Sequence, residues 1–355
     1  MEFPSILLPE PPRAKRRWWR LAFVMVVLGV TVGLVGAYVQ IPYYSLGPGP
    51  ARDVSMLISV DGERIYPSAG SFFLTTVSVS SRPVTLFEAL SGWLDPAVSL
   101  VKRELIVTPG LDDQQQDQLI NALDMEQSKY SAVIAALHAV GIKTPPVKGV
   151  HVIAVAQGFP AAAVLRAGDL IVAANGVAVK DVRTLVERIQ AKPVGTKHTF
   201  EVLRGQERLS LSVRTIASPI TQDKNVPIIG AALGPAFRLP LGVTLDSQNI
   251  GGPSAGLAFA LTIADVLIPE DLTRGHRVAV TGTIAIDGTV GLVGGVEFKV
   301  RAAEHEGADV FLVPKEEVAQ ASAVDSEVMV IGVSTLEEAI TALRQLAQVA
   351  PKKAA

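Results

Sequence analysis

The sequence predicts a mixed α/β (α+β) chain held behind a single N-terminal transmembrane helix, and three observations predict it. Leu21 to Val39 is uncharged and strongly apolar, and about 20 such residues at 1.5 Å each cross a hydrocarbon core. Beyond residue 50, period-two runs bounded by Gly, Pro and Asn interleave with runs of period three to four, so strands and helices alternate. Finally, Asn249-Ile250-Gly251-Gly252-Pro253-Ser254-Ala255-Gly256 opens directly onto the apolar helical run Leu257–Asp265, and Lys299 follows 45 residues after Ser254. The rest of the chain is organised around that serine and that lysine.

Composition removes several function classes. Lys and Arg number 32 against 34 Asp and Glu, so no global signal for nucleic acid exists. The chain has no cysteine, which excludes disulfides, thiol nucleophiles and Cys-based zinc sites. Its five histidines form no His-Glu-x-x-His helix, and there is no Gly-x4-Gly-Lys-Ser/Thr phosphate loop within these residues. The expectation is therefore no metal, no cofactor, no nucleic acid and no ATP.

Residues 1–20 are Pro-rich and basic, with Arg13, Lys15, Arg16, Arg17 and Arg20 against Glu2 and Glu10. A basic N-terminal flank keeps that end cytoplasmic and places the chain beyond the 21–41 anchor outside the cytoplasm, in the cell membrane as a single pass. Trp18 and Trp19 on one side and Tyr38, Tyr43 and Tyr44 on the other match the aromatic belts of an interface. A cleavable signal peptide is the rival reading, but the apolar run is long for one and no clean Ala-x-Ala comes after it.

Residues 42–147 read as an extracytoplasmic connecting region. A turn-rich stalk (Pro42, Gly47, Pro48, Gly49, Pro50) leads to Val54–Val60, an Asp61-Gly62 turn and Glu63–Tyr66, which reads as a hairpin. Ser71–Ser80 is a further β run, and residues 84–94 and 112–140 turn helical. No chemistry is assigned here; the region connects and positions.

From 148 to 218 the pattern is strand (Val150–Val155), short helix (Phe159–Val164), strand and tight turn through Ala167-Gly168-Asp169-Leu170-Ile171 and Asn175-Gly176, helix (Val182–Gln190), and two strands (Lys197–Arg204, Arg208–Arg214). This segment resembles a bacterial PDZ domain. The resemblance implies a groove beside the Val182–Gln190 helix that accepts an extended peptide by strand addition, with Gly149, Val150 and His151 at its carboxylate-binding end. His151 and His198 lie on strands and read as structural.

Residues 225–347 carry the chemistry, ahead of a 348–355 tail. A helix start leaves free N–H groups at its positive dipole end, a good place for a nucleophile whose intermediate is an oxyanion; the bland reading of Ser254 is an ordinary N-cap. Downstream, Arg277–Ile286 is a strand, Asp287-Gly288 a turn, and Val296–His305 a helix. At about 100° per residue, Glu297, Arg301, Glu304 and His305 share a polar face, while Lys299 lies roughly opposite, beside Val296, Ala302 and Ala303. Burying an ammonium is costly, so Lys299 either snorkels out or works as a neutral amine.

Together, Gly-Pro-Ser-Ala-Gly, the Thr281-Gly282 strand, Gly294-Gly295-x-x-x-Lys299 with Ala302-Ala303, and Asp309–Pro314 resemble the proteolytic domain of the Lon-type serine proteases. With the anchor and the PDZ-like segment, the chain is similar to the membrane-anchored, PDZ-containing Lon-like proteases of bacteria. Gly251 stands where bacterial Lon enzymes carry an acidic residue, and Thr283 where ATP-dependent ones carry Glu. The resemblance implies a serine endopeptidase with Ser254 as nucleophile, Lys299 as general base, Thr281 orienting the amine, and backbone amides around Gly252 and Ser254 as oxyanion donors. It implies peptide or unfolded protein substrates, ATP independence, and a tendency to form homo-oligomers. The competing expectation is a non-catalytic PDZ scaffold or peptide-binding surface protein on a decayed protease fold.

Overall fold

The computed structural model describes residues 13–61, 65–102, 114–219, 225–248 and 250–348. These residues divide into two units, one drawn from Met1–Leu46 and Val79–Arg103, the other from Gly47–Ser78 and Glu104–Ala355.

In the first unit, helix α1 (Arg13–Tyr38) contains a 21-residue apolar stretch, Trp18–Tyr38. Its side chains are almost wholly exposed, including Phe23, Met25, Leu28 and Leu34. A stretch apolar all round and exposed along most of its length is suited to lipid, not to water. Helix α2 (Leu86–Leu94) begins at a capping box in which Thr85 and Glu88 satisfy each other's backbone N–H groups. Arg82 grips the same Glu88 at 2.7 and 3.0 Å, which with the Thr85 amide holds that carboxyl down at about 2. Tyr43–Leu46 pairs antiparallel with Ser99–Lys102 beneath it.

The second unit contains two main sheets. The first runs in the order Arg52–Asp53, Ser71–Leu74, Arg277–Val280, Val310–Pro314, Met329–Val333. Its last four strands are parallel, and Arg52–Asp53 lies antiparallel at one edge. Parallel strands covered on both faces read as unbroken apolar runs, and Val278–Val280 and Val310–Val313 do so. Val278, Val280 and Leu312 face the larger core under helices α3 (Gln114–Ala139), α5 (Gly256–Leu267) and α8 (Leu336–Gln345). Ala279, Phe311 and Val313 face the other way, toward α6 (Val296–His305) and α7 (Val318–Ser322).

Two expectations are corrected by the strand pairings. The expectation of a separate connecting region over 42–147 fails for two of its parts: Ser71–Leu74 is the parallel neighbour of Arg277–Val280, and α3 buries Met125 and Ala132–Leu137 against α5. The strand Arg277–Val280 is too apolar to be an edge, so it takes a second partner from far upstream. Nor does Ile58–Asp61 form the expected local hairpin. It pairs with Gly242–Leu245, and residues 62–64 of the proposed turn lie outside the described residues.

The second sheet is antiparallel, in the order Glu207–Arg214, Lys197–Arg204, Leu170–Ala174, Pro146–Val155, Ala231–Phe237, with α4 (Val182–Gln190) packed across it. Leu165, Ile171, Leu185, Phe200 and Val202 fill its core. Asn175-Gly176 makes the tight turn with both φ angles positive (52° and 75°). Buried Asp169 is held bidentate by Arg204 at 2.7 and 2.8 Å.

The placement of Gly149, Val150 and His151 corrects the peptide-binding expectation for them. Their strand is paired on both sides, with Leu170–Ala174 and with Ala231–Phe237, so it has no free edge for strand addition. Val150 is fully buried in the core. A side chain at Gly149, whose φ is +133°, would meet the Ile171 carbonyl at 2.9 Å. The His151 ring stacks on Tyr130 of α3, centroids 4.9 Å apart, and burial lowers its pKa.

Candidate active site

The serine is positioned by backbone clamps more than by its own helix. Gly252 has φ +85° and ψ 157°, a conformation open essentially to glycine alone. Pro253–Ala255 then form one 3₁₀ turn, and α5 begins at Gly256, so Ser254 sits one short turn ahead of the α-helix proper. The Ser254 carbonyl accepts the Gly282 N–H at 3.0 Å, and the Gly282 carbonyl accepts the Leu257 N–H at 3.1 Å. From the other side, α3 holds the loop: Gly252 N–H donates to the Asn121 carbonyl at 2.8 Å, and the Ser128 hydroxyl donates to the Pro253 carbonyl at 2.9 Å. A side chain at Gly251 would press on Asn121 Cβ at 3.1 Å, which gives a steric reason for glycine at this position.

Lys299 lies on the inner face of α6, 3% exposed. It does not snorkel to bulk water. Its Nζ donates to the hydroxyl of fully buried Thr281 at 3.0 Å, and Thr281 Oγ1 in turn lies 3.5 Å from the Ser254 carbonyl. The amine's pKa is lowered to about 8, chiefly by burial, with the nearby Glu317 carboxylate acting in the opposite sense. Glu317 is itself buried and accepts the Val293 N–H at 3.2 Å, and burial raises its pKa.

Ser254 and Lys299 line the same cavity, of about 610 Å³. Its walls are Ile250, Gly251, Pro253 and Ala255 on the serine side, Leu292–Gly294 on the lysine side, and Leu74–Ser78 opposite. Thr75 Oγ1 in that wall is buried with no hydrogen-bond partner among the described residues. The Ser254 hydroxyl also makes no hydrogen bond to any described residue. Gly252, expected among the oxyanion donors, has its N–H engaged by Asn121; the Ser254 N–H is left, one of the open donors of a helix start.

Comparisons with known proteins match both domains. A family model of the PDZ domain matches residues 120–215, and a model of the Lon protease (S16) C-terminal proteolytic domain matches residues 243–345. The chain carries a PDZ domain and a Lon-type proteolytic domain. Among curated proteins, Lon protease 2 of Bacillus subtilis (strain 168) is 34% identical over 106 residues, 29% of this chain and 18% of that protein. Lon protease of Campylobacter concisus is 32% identical over 109 residues, 29% of this chain and 13% of that one. The chain thus spans less than a fifth of the length of these relatives. Among solved structures, the PDZ domain of an SdrC-like protein from Listeria monocytogenes is 31% identical, covering 24% of this chain and 88% of that one, with a TM-score of 0.23.

The proteolytic match takes in Ser254, Thr281, Lys299 and Glu317 but not Asn121, Ser128 or Thr75. Sequence reasoning also missed those three, since nothing in an Asn or Ser on a helix of weak periodicity points to a loop 125 or more residues away. Glu317, three residues past Pro314, was missed too, because it comes near the lysine only in the folded chain. In the PDZ domain, an apolar cavity of about 210 Å³ lies between α4 (Val186, Ile189) and Ile228–Ala231, with Leu119, Ile120 and Leu123 of α3 as its third wall. Among the described residues no cluster of three or more His, Cys, Asp or Glu side chains is placed to hold a metal ion.

Proposed function

We propose that this chain is a membrane-anchored, ATP-independent serine endopeptidase that cuts peptides or unfolded protein segments outside the cytoplasm. Its catalytic pair is Ser254 and Lys299, and its PDZ domain selects or gates substrate. The observation that carries the reading is a buried lysine with a lowered pKa sharing one cavity with a serine at a helix start.

A neutral Lys299 amine takes the Ser254 hydroxyl proton as the serine oxygen attacks the scissile carbonyl. The lysine then delivers that proton to the leaving amine, and water releases the acyl group by the same route in reverse. Thr281 keeps one amine hydrogen occupied and so aims the nitrogen's lone pair into the cavity shared with the serine. The Ser254 N–H stabilises the oxyanion, while Gly252 serves by its backbone conformation. Thr75 offers an unpartnered hydroxyl to an extended substrate backbone. The basic flank and apolar α1 support anchoring with the catalytic unit outside. Hydrolysis of an unfolded protein by the full chain without nucleotide, lost in Ser254→Ala, is the test; nucleotide-dependent activity would reject ATP independence.

Gating is supported by α3, which walls the PDZ cavity through Leu119, Ile120 and Leu123 and holds the serine loop through Asn121 and Ser128. Val186 is half-buried and lines that cavity. Val186→Asp is expected to cut kcat/KM on a protein substrate about tenfold or more while leaving a small reporter peptide within about twofold, the cost of a charge in an apolar pocket. Equal loss on both substrates with an unchanged melting curve would deny the PDZ domain a role in selection.

A further inference from the structure

We infer that α2 is a membrane-surface helix whose apolar face lies in the headgroup–acyl boundary of a phospholipid bilayer, beside the end of α1. The inference rests on reading α1 as the membrane anchor. Leu86, Phe87, Leu90, Trp93 and Leu94 are exposed, Trp93 at 78% and Leu94 at 68%. At about 100° per residue these five occupy one arc of about 120° centred on Leu90, the width of the apolar stripe of an amphipathic helix.

The opposite side is polar or packed. Glu88 lies roughly 160° from Leu90 by the same rotation, tied to Arg82 and the helix start. Gly92 is buried against Val98 and Leu100. These contacts fix the rotation of α2, so its apolar arc is presented by design of the fold and not by fraying.

The element beside the arc identifies its cover. The apolar stretch of α1 ends at Tyr38. Leu86 N–H donates to the Val39 carbonyl at 3.1 Å, Ile41 N–H donates to Val84 at 2.9 Å, and Gln40 bridges Thr85. A side chain at Gly36 would collide with the Phe87 ring. The arc is therefore attached at the level where the span leaves the hydrocarbon, and it continues that span's lipid-facing surface sideways. A tryptophan with leucines around it is the composition such an interface takes.

The chain has no native cysteine, so single cysteines report cleanly. Leu90→Cys, Trp93→Cys, Ser91→Cys and Val27→Cys, each in the full chain, are labelled with an environment-sensitive nitrobenzoxadiazole dye and reconstituted in phosphatidylcholine vesicles. All four parent side chains are exposed, so folding is not at stake. With brominated acyl chains, dyes at 27, 90 and 93 are expected to lose about half or more of their emission, and the dye at 91 little. Quenching at 27 without quenching at 90 and 93 overturns the inference and leaves the anchor standing. No quenching at 27 overturns the anchor and the inference with it. Energy transfer between labelled copies at 90 and 93 without bromine quenching assigns the face to a second copy and also overturns it.

Discussion

Lys299→Met is expected to lower kcat/KM by about 10³-fold or more while leaving the fold at least as stable. Positioned general bases contribute about 10²–10⁴, and members of a catalytic pair cost more when lost because they act as a unit. Methionine keeps the apolar stem and removes only the buried amine. The sign of the pH dependence comes from the folded pKa of about 8, below the reference of about 10.4 for a free lysine. Activity rises with pH along one ionisation centred near 8, as the amine loses its proton, and then levels. Stability shifts the same way: below pH 8 the folded state carries a buried charge at a cost, and that cost is relieved as pH rises from 8 toward 10.4. Lys299→Met therefore stabilises the protein at pH 7 by about 1–3 kcal/mol, discounted from the full shift for relaxation around a buried charge. Lys299→Arg is inactive, because a guanidinium stays protonated. Glu317→Gln moves the rate profile toward lower pH, since the carboxylate favours the charged amine. A flat pH profile, or turnover that survives Lys299→Met, contradicts the assignment.

Ser254→Ala is expected to reduce turnover by about 10³–10⁶-fold, to the level of non-covalent effects alone, with a melting temperature close to that of the parent. The structural cost is small because the Ser254 hydroxyl holds nothing in place. It is the Ser254 carbonyl that accepts the Gly282 amide, and alanine supplies the same carbonyl. Substitutions away from such features fall within about 0.5 kcal/mol. Thermal melts by circular dichroism and progress curves on one preparation separate the two effects. A large drop in melting temperature would mean that the inactivity reflects a damaged loop and not a missing nucleophile.

The elements that announced themselves in the sequence are those whose physics is local. Gly252-Pro253-Ser254 before an apolar run marks a helix start, and Lys299 stood out because its position on the helix conflicts with its charge; the structure buries it. Asn175-Gly176 gave its turn from positive-φ preference alone. What was hidden is non-local. Phe72, Phe73 and Leu74 read as a strand, but nothing in them states that the partner is Arg277–Val280 some 200 residues on or that a whole sheet lies between. Helix α3 has weak periodicity because it is covered on two sides, by α5 and by the PDZ sheet. The resemblance to a PDZ domain implies peptide binding at Gly149–His151, on a strand whose partners the local pattern does not state. The later strand Ala231–Phe237, past the segment taken as the domain, closes that edge.

The most direct measurement is intact-mass analysis of the full chain after reaction with a fluorophosphonate, followed by peptide mapping. A nucleophilic serine paired with a buried neutral amine is expected to take one phosphonyl group, on Ser254, faster at pH 9 than at pH 7, with none in Ser254→Ala and little in Lys299→Met. An unlabelled chain, label on another residue, or equal labelling of Lys299→Met at both pH values would contradict the Ser254–Lys299 pair.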